Sequence, residues 1–360
     1  MGTRIVVEPG AIRALPGAVA AIGARAMLVV GSRRAVRATG LHDLLGGRDV
    51  HTYDGFTTNP RLADLQAGAA LRARLAPGVV VGVGGGSALD AAKVVRALRW
   101  PPGGTEQLVR SGFPLDDDRP PLVLIPTTAG SGSEVTCFAT VYHRGAKLSV
   151  DAPGLAADLA LVDADLTHSC DPGLTASAAF DAVAHAIESW WSRRATKESR
   201  DYARRALALL WPAVTRAGTP GPARRSALMA GAHWAGRAIN ISRTTAAHAF
   251  SYDLTIRYGV PHGLACMLNL PWLVRANLAA GAPRLADIAG QLGCRAEELD
   301  DRLTALIRAH GWSPRLRDHG VSRGELAGLI EHALGNTQRA TNNPVALDAA
   351  DVRPYLEGAW

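Results

Sequence analysis

Four side chains with metal-binding chemistry stand out. Asp181 and His185 lie in "AAFDAVAHAIESWW", and His248 and His262 stand at the two ends of "HAFSYDLTIRYGVPH". Residues four apart on a helix share a face, so the Asp181–His185 pair would aim both groups in one direction. The same spacing also suits an ordinary ion pair. One carboxylate with three imidazoles is a borderline-hard donor set suited to a divalent ion such as Fe²⁺ or Zn²⁺. Pro261 and Gly263 predict a bend that turns the His262 ring toward the point His248 faces. The remaining eight histidines lack such neighbours and read as surface or core residues.

Two loops could hold phosphate. In "VVVGVGGGSALDAAK" a glycine run follows an apolar strand and precedes a helix, with Ser87 as the expected cap and Lys93 within two turns. Glycines let a backbone approach phosphate closely, and a helix N-terminus offers free N–H groups. A tight turn without a ligand would use the same residues. In "IPTTAGSGSEVT", Thr127, Thr128, Ser131 and Ser133 offer hydroxyls to phosphate or a carboxamide, although Ser131 with Glu134 also fits a capping box. Neither loop carries the GxGxxG fingerprint.

The elements that must position these groups change character along the chain. Residues 26–32, 78–86, 121–130 and 159–166 are apolar runs, and helical patterns such as "PRLADLQAGAALRARLA" lie between the first two. Such alternation predicts a parallel sheet covered on both faces. Beyond about residue 170 the sequence is helical to its end. We therefore expect an α/β dinucleotide-binding domain over residues 1–170 and an all-helical, metal-binding domain over 171–360, with the boundary near Asp171-Pro172. No apolar run reaches membrane-spanning length, no secretory leader is evident, and the four cysteines are scattered. A cytoplasmic location and no membrane partner are expected. The net charge of +7 is dispersed rather than blocked, which argues against nucleic acid and suits an anionic small molecule.

In this order and spacing, "GGGSALDAAK", "PTTAGSGSEVT", "FDAVAHAIESWWS" and "AHAFSYDLTIRYGVPHG" resemble the iron-containing (group III) alcohol dehydrogenases, as do "EPGAIRALP" and the late "NNP". The resemblance spans nearly the whole chain. It implies a dehydroquinate-synthase-like fold and a metal-dependent, nicotinamide-linked aldehyde reductase. Asp181, His185, His248 and His262 would be the metal ligands. Gly84, Gly85, Gly86, Ser87 and Asp90 would lie along the cofactor pyrophosphate, and Thr127, Thr128, Ser131 and Lys147 would line the cofactor. Lys93 and Lys147 are two of only three lysines. The metal, Fe²⁺ ahead of Zn²⁺, would polarise an aldehyde carbonyl while the nicotinamide delivers hydride. A homodimer is compatible with this reading.

Three departures from the family pattern shape the expected chemistry. Many NAD-dependent relatives carry an aspartate after the strand "MLVV", where this chain has Gly31-Ser32-Arg33-Arg34. Ser32 and Arg33 at that place favour the 2′-phosphate of NADPH over NADH. Tyr252 replaces a histidine that often serves the proton route, and its hydroxyl could substitute. In "NISRTTAAH", Asn240, Arg243, Thr244 and Thr245 replace a blander run beside a metal ligand, which suits a small anionic aldehyde. This variant looks like that of phosphonoacetaldehyde reductases, implying reduction to 2-hydroxyethylphosphonate. Maleylacetate, succinic semialdehyde, or a lyase reaction like that of dehydroquinate synthase are the alternatives.

Overall fold

The computed structural model describes residues 2–101, 114–144 and 146–360. Contacts divide the chain into two compact units: Met1–Thr128 with Gly132–Ser169, and Ala129–Ser131 with Cys170–Trp360.

The first unit is built on β1 (Arg4–Val7), β2 (Ala26–Val30), β3 (Asp49–Tyr53), β4 (Val79–Gly84), β5 (Leu122–Pro126) and β8 (Leu159–Val162). They pair in parallel in the order β1-β8-β5-β4-β2-β3. Consecutive strand residues point to opposite faces, and here both faces are apolar. Met27 and Val29 pack with Leu15, Val19 and Val36 on one side. Leu28 and Val30 pack with Leu62, Leu65 and Leu89 on the other. The continuous apolar runs of β4 and β5 are therefore what a two-sided burial demands. The helices that cover the sheet include α1 (Leu15–Ile22), α2 (Arg33–Ala38), α3 (Leu41–Leu44), α4 (Leu62–Leu75) and α5 (Gly86–Ala97).

A hairpin of β6 (Phe138–His143) and β7 (Ala146–Asp151) forms a separate antiparallel pair that the apolar pattern did not announce. Lys93 anchors this segment. It is fully buried, and its Nζ donates at 2.9 Å to Ser133 Oγ, Thr136 Oγ1 and the Phe138 carbonyl. Burial lowers its pKa, against the opposing pull of Asp90. The sequence reading set Lys93 within two turns of the glycine loop; its ammonium is occupied inside the unit.

The second unit is helical, with long helices at Pro172–Trp191, Lys197–Val214, Pro222–Ser242, Ala246–Tyr258 and His262–Ala279. The side-chain oxygen of Asp171 accepts from the Leu174 N–H at 2.8 Å, and Pro172 fills the first helical position, so the boundary residues start the first of these helices. Phe180, Trp191 and Trp272 are buried in this unit. Among the described residues, no helix is long and apolar enough to cross a membrane.

Candidate active site

Three helices of the second unit carry the four predicted donors. Asp181 and His185 lie one turn apart on the Pro172–Trp191 helix, His248 in the first turn of the Ala246–Tyr258 helix, and His262 opens the His262–Ala279 helix after Pro261. Gly263 sets the approach of the first and last of these. A Cβ added there would lie 1.8 Å from the Ser177 carbonyl oxygen and 2.8 Å from Asp181 N. Only a residue without a side chain permits this packing.

The donors converge on one oxygen. Asp181 Oδ1 lies 3.3 Å from His248 Nε2, 3.5 Å from His185 Nε2 and 3.9 Å from His262 Nε2. The His185 and His248 rings stack, with centroids 4.7 Å apart. Asp181 Oδ1 and His248 Nε2 are buried with no hydrogen-bond partner among the described residues. Orphaned polar atoms of this kind are costly, and a cation shared among these donors would satisfy them. The set therefore fits a divalent metal. The His262 side chain is 35% exposed, against 5–10% for the other three, so the cluster opens to solvent on that side.

Electrostatics agree with a cation-ready site. Burial raises the Asp181 pKa, but the three imidazoles outweigh it and hold the carboxyl far below its usual range. Burial pushes His185 down to about 4, with Asp181 resisting, so its ring is neutral and able to coordinate at neutral pH.

Two members of this cluster escaped the sequence reading. Cys266 is buried one helical turn after His262, with Sγ 3.9 Å from His262 Nε2. Asp181, His248, His262 and Cys266 present donor atoms all within 4.8 Å of one another. The four-residue spacing from His262 was the available signal. Glu188, fully buried, accepts from His248 Nδ1 and stands seven residues after Asp181, on its face of the helix.

The turn at residues 242–245 differs from its sequence reading. Arg243 has a positive φ of 62°, a conformation that side chains rarely adopt. Its Nη1 folds back to donate to the carbonyl of Asn240, ending the preceding helix. Thr245 is fully buried, donating from Oγ1 to Glu188 Oε1 at 2.6 Å and accepting from Trp191 Nε1 at 2.9 Å. Its hydroxyl is committed to the scaffold. Thr244 is also buried, and its carbonyl accepts from Asn342 Nδ2 at 3.0 Å. Asn342, from the "NNP" stretch, also donates to the Ser242 carbonyl and accepts from Ser192 Oγ. Tyr252 lies one turn beyond His248, and the guanidinium of Arg339 sits over its ring at 5.2 Å. Arg339 was absent from the sequence reading.

The predicted cofactor residues lie mostly in the sheet unit. The strand order reverses between β2 and β4, the usual place for a nucleotide crevice. Gly31 and Gly84 stand at the C-terminal ends of these two strands. A Cβ on Gly31 would meet the Val83 carbonyl at 2.5 Å, and Gly84 has φ of 143°. Gly85, rather than Ser87, caps α5, because Ser87 Oγ donates to the Thr58 carbonyl. Among the described residues no side chain caps this helix, and the first N–H groups of a helix have no partner within it. Asp90 is turned away, its carboxylate accepting from Ser133 Oγ at 2.6 Å and from Thr140 N at 2.8 Å. Thr127 N donates to the Gly84 carbonyl, and Thr128 Oγ1 packs against Gly85. Ser131 belongs to the helical unit and heads no capping box, since Gly132 precedes a short helix at Ser133–Val135. Lys147 is half-buried in β7, opposite Tyr142. Ser32 caps α2, and Arg33 Nε donates to Asp54 Oδ2 at 2.6 Å.

Comparison with known proteins agrees with this architecture. Residues 2–164 match the family description "Iron-containing alcohol dehydrogenase", and residues 175–360 match "Fe-containing alcohol dehydrogenase family, C-terminal". The chain is 30% identical to long-chain-alcohol dehydrogenase 1 of Geobacillus thermodenitrificans, over 99% of this chain and 96% of that one. It is 38% identical to a phosphonoacetaldehyde reductase of Streptomyces viridochromogenes, over 67% of this chain and 63% of that one. A crystal structure of sulfoacetaldehyde reductase from Bifidobacterium kashiwanohense in complex with NAD⁺ superposes with a TM-score of 0.91 at 26% identity, covering 99% of this chain and 96% of that one. Two domain matches that together span almost the entire sequence place this chain in the iron-containing alcohol dehydrogenase family.

Proposed function

We propose that this oxidoreductase reduces a small anionic aldehyde with a nicotinamide cofactor, at a divalent metal held by Asp181, His185, His248 and His262. The convergence of three imidazole nitrogens on one unpartnered carboxylate oxygen carries the reading. When bound, the metal would supply Lewis-acid polarisation of the carbonyl and the reduced nicotinamide the hydride. The chain supplies position and charge. Asp181 offers the anionic oxygen, the neutral His185 ring a lone pair, and the exposed edge of His262 marks where substrate can enter. Tyr252, one turn from His248, is the candidate to hand a proton to the product alkoxide.

The anion would be met by Arg339. Arg243 is spent on capping its own helix, whereas the Arg339 guanidinium lies over Tyr252, on the helix face that carries His248. Phosphonoacetaldehyde is our preferred substrate, supported by the "SRTTAAHAFSY" stretch and the Streptomyces relative; a sulfonated aldehyde shares the same chemistry. For the cofactor we favour NADPH. Arg33, Arg34 and Arg37 leave the start of α2 positive even with Asp54 paired to Arg33.

The test is an aldehyde panel run with NADH and NADPH on metal-analysed protein. Phosphonoacetaldehyde should exceed acetaldehyde by at least tenfold in kcat/KM, and Arg339→Ala should erase most of that ratio while Arg243→Ala does not. A metal-free preparation with full activity, or equal use of charged and neutral aldehydes, would overturn the reading. A tenfold preference for NADH would overturn the cofactor assignment.

A further inference from the structure

Glu188 does two jobs at once. Its Oε1 accepts from the backbone N–H groups of Thr245 at 3.0 Å, Ala247 at 2.9 Å and His248 at 3.4 Å, and from Thr245 Oγ1 at 2.6 Å. The Ala246–Tyr258 helix has no side-chain cap of its own at Thr245, so a carboxylate 57 to 60 residues away supplies it. Its Oε2 meets His248 Nδ1. An ionised carboxylate has no proton to give, so Nδ1 must carry the hydrogen. Nε2 is then the ring atom left to face Asp181 Oδ1, 3.3 Å away, and to bind an ion placed between them.

We infer that Glu188 is a positioning residue for the metal centre: it fixes both the ring orientation of His248 and the hydrogen on Nδ1, and it ties that choice to the folding of the helix bearing His248. Histidine ligands generally need such a partner on the nitrogen that faces away from the ion. The inference rests on the metal reading above. Its distinctive feature is that one carboxylate serves the helix start with Oε1 and the ligand with Oε2. The surrounding scaffold holds it there. Trp191 Nε1 donates to Thr245 Oγ1, and Ser242 Oγ donates to Ser189 Oγ at 2.8 Å.

Glu188→Gln poses the question with little change in shape. An amide has one acceptor oxygen and one donor nitrogen, while both sides of this site present donors. Several N–H and O–H groups converge on the Oε1 side, so the amide oxygen should stay there. The amide nitrogen then faces His248 Nδ1, which must become an acceptor and move its proton to Nε2, the atom aimed at the ion. Imidazole ¹⁵N NMR on histidine-labelled, metal-free protein should show Nδ1 protonated in the wild type and unprotonated in Glu188→Gln. Co²⁺ titrated into the same proteins should bind the variant about 10–100-fold more weakly, with a changed d–d spectrum. Circular dichroism should remain native.

Unchanged Nδ1 protonation together with unchanged Co²⁺ affinity would overturn the inference. If Glu188→Gln fails to fold, Thr245→Val supplies a second test. It removes one donor to Oε1 and leaves the carboxylate facing His248, so Co²⁺ affinity should fall less than threefold; a loss as large as His248→Ala would show that helix packing, not Nδ1, sets the affinity. A wild-type protein that binds no Co²⁺ would defeat the metal reading, whereas the NMR comparison would still decide the role of Glu188.

Discussion

Replacing Gly263 by alanine sets two physical effects against each other at the centre of the site. Gly263 is the second residue of the His262–Ala279 helix, where alanine is ordinarily favoured over glycine by about 1 kcal/mol. Against that, the new Cβ would sit 1.8 Å from the Ser177 carbonyl oxygen, and real Cβ contacts do not fall below 3.0 Å. Relief requires the two backbones to part by about 1.2 Å, the difference between these values. One of them carries Asp181 and the other begins with His262, whose donor atoms are 3.9 Å apart. Metal–ligand distances tolerate only about 0.2 Å, so a shift of this size should remove His262 from the coordination sphere. Overpacking of this kind costs about 1–3 kcal/mol, which exceeds the propensity gain. We expect Gly263→Ala to fold, to melt several degrees lower, and to retain well under half of the wild-type metal after dialysis against a weak chelator. Elemental analysis and thermal melting of the metal-free protein measure both quantities. A variant with full metal and an unchanged or raised melting temperature would refute the close-approach argument.

Lys93→Met should destabilise the protein by about 3 kcal/mol, because Asp90 and three acceptors lose their buried cation, while KM for the nicotinamide stays within threefold; a raised KM without a stability loss would restore a phosphate-binding role. Cys266 Sγ lies among the donor atoms, so Cys266→Ser should weaken Co²⁺ binding and change its d–d spectrum; an unchanged affinity and spectrum would place it outside the site. Glu325 is drawn from its ordinary 4.5 down to about 2 by the Ser322 hydroxyl and backbone N–H. A carboxyl lowered on folding stabilises fully above 4.5 and ceases to do so as pH falls through about 2. The melting-temperature gap between wild type and Glu325→Gln should therefore be constant near neutrality and close between about pH 4.5 and 2; a gap independent of pH would contradict this.

What could be read from the sequence was what depends on local spacing. The apolar runs that became β2, β4, β5 and β8 stand where the pattern put them, because strands buried on both faces need no partner information to be recognised. Asp181 and His185 were legible for the same reason, being one helical turn apart. Contacts across long separations were not legible. Asp90 meets Ser133 and Thr140, 43 and 50 residues on, and nothing near Asp90 signals that its carboxylate points inward. Thr245 was read as a surface for substrate because the reading could not foresee Glu188, 57 residues earlier. Arg243 is a case where backbone geometry decides. A residue at φ of 62° that ends a helix can satisfy that helix's carbonyls, and the guanidinium does so. The β6–β7 hairpin was missed because the search followed continuous apolar runs, whereas β7 reads AKLSVD, the alternation of a half-buried strand.

Asn342 joins positions that are far apart in the chain. It reaches back 150 residues to Ser192 and 100 residues to Ser242. Contacts of such sequence separation carry the largest loop-closure entropy and form late in folding. During synthesis, which proceeds from the N-terminus, all four candidate donors emerge well before Asn342 does. The turn that precedes His248 therefore lacks its brace until the chain has grown past residue 342. Ions met by the unfinished polypeptide would find loose, individually weak donors, so tight capture would be postponed to a nearly completed molecule. A stop or frameshift a little upstream of Asn342 should thus yield chains with every donor present and poor metal retention.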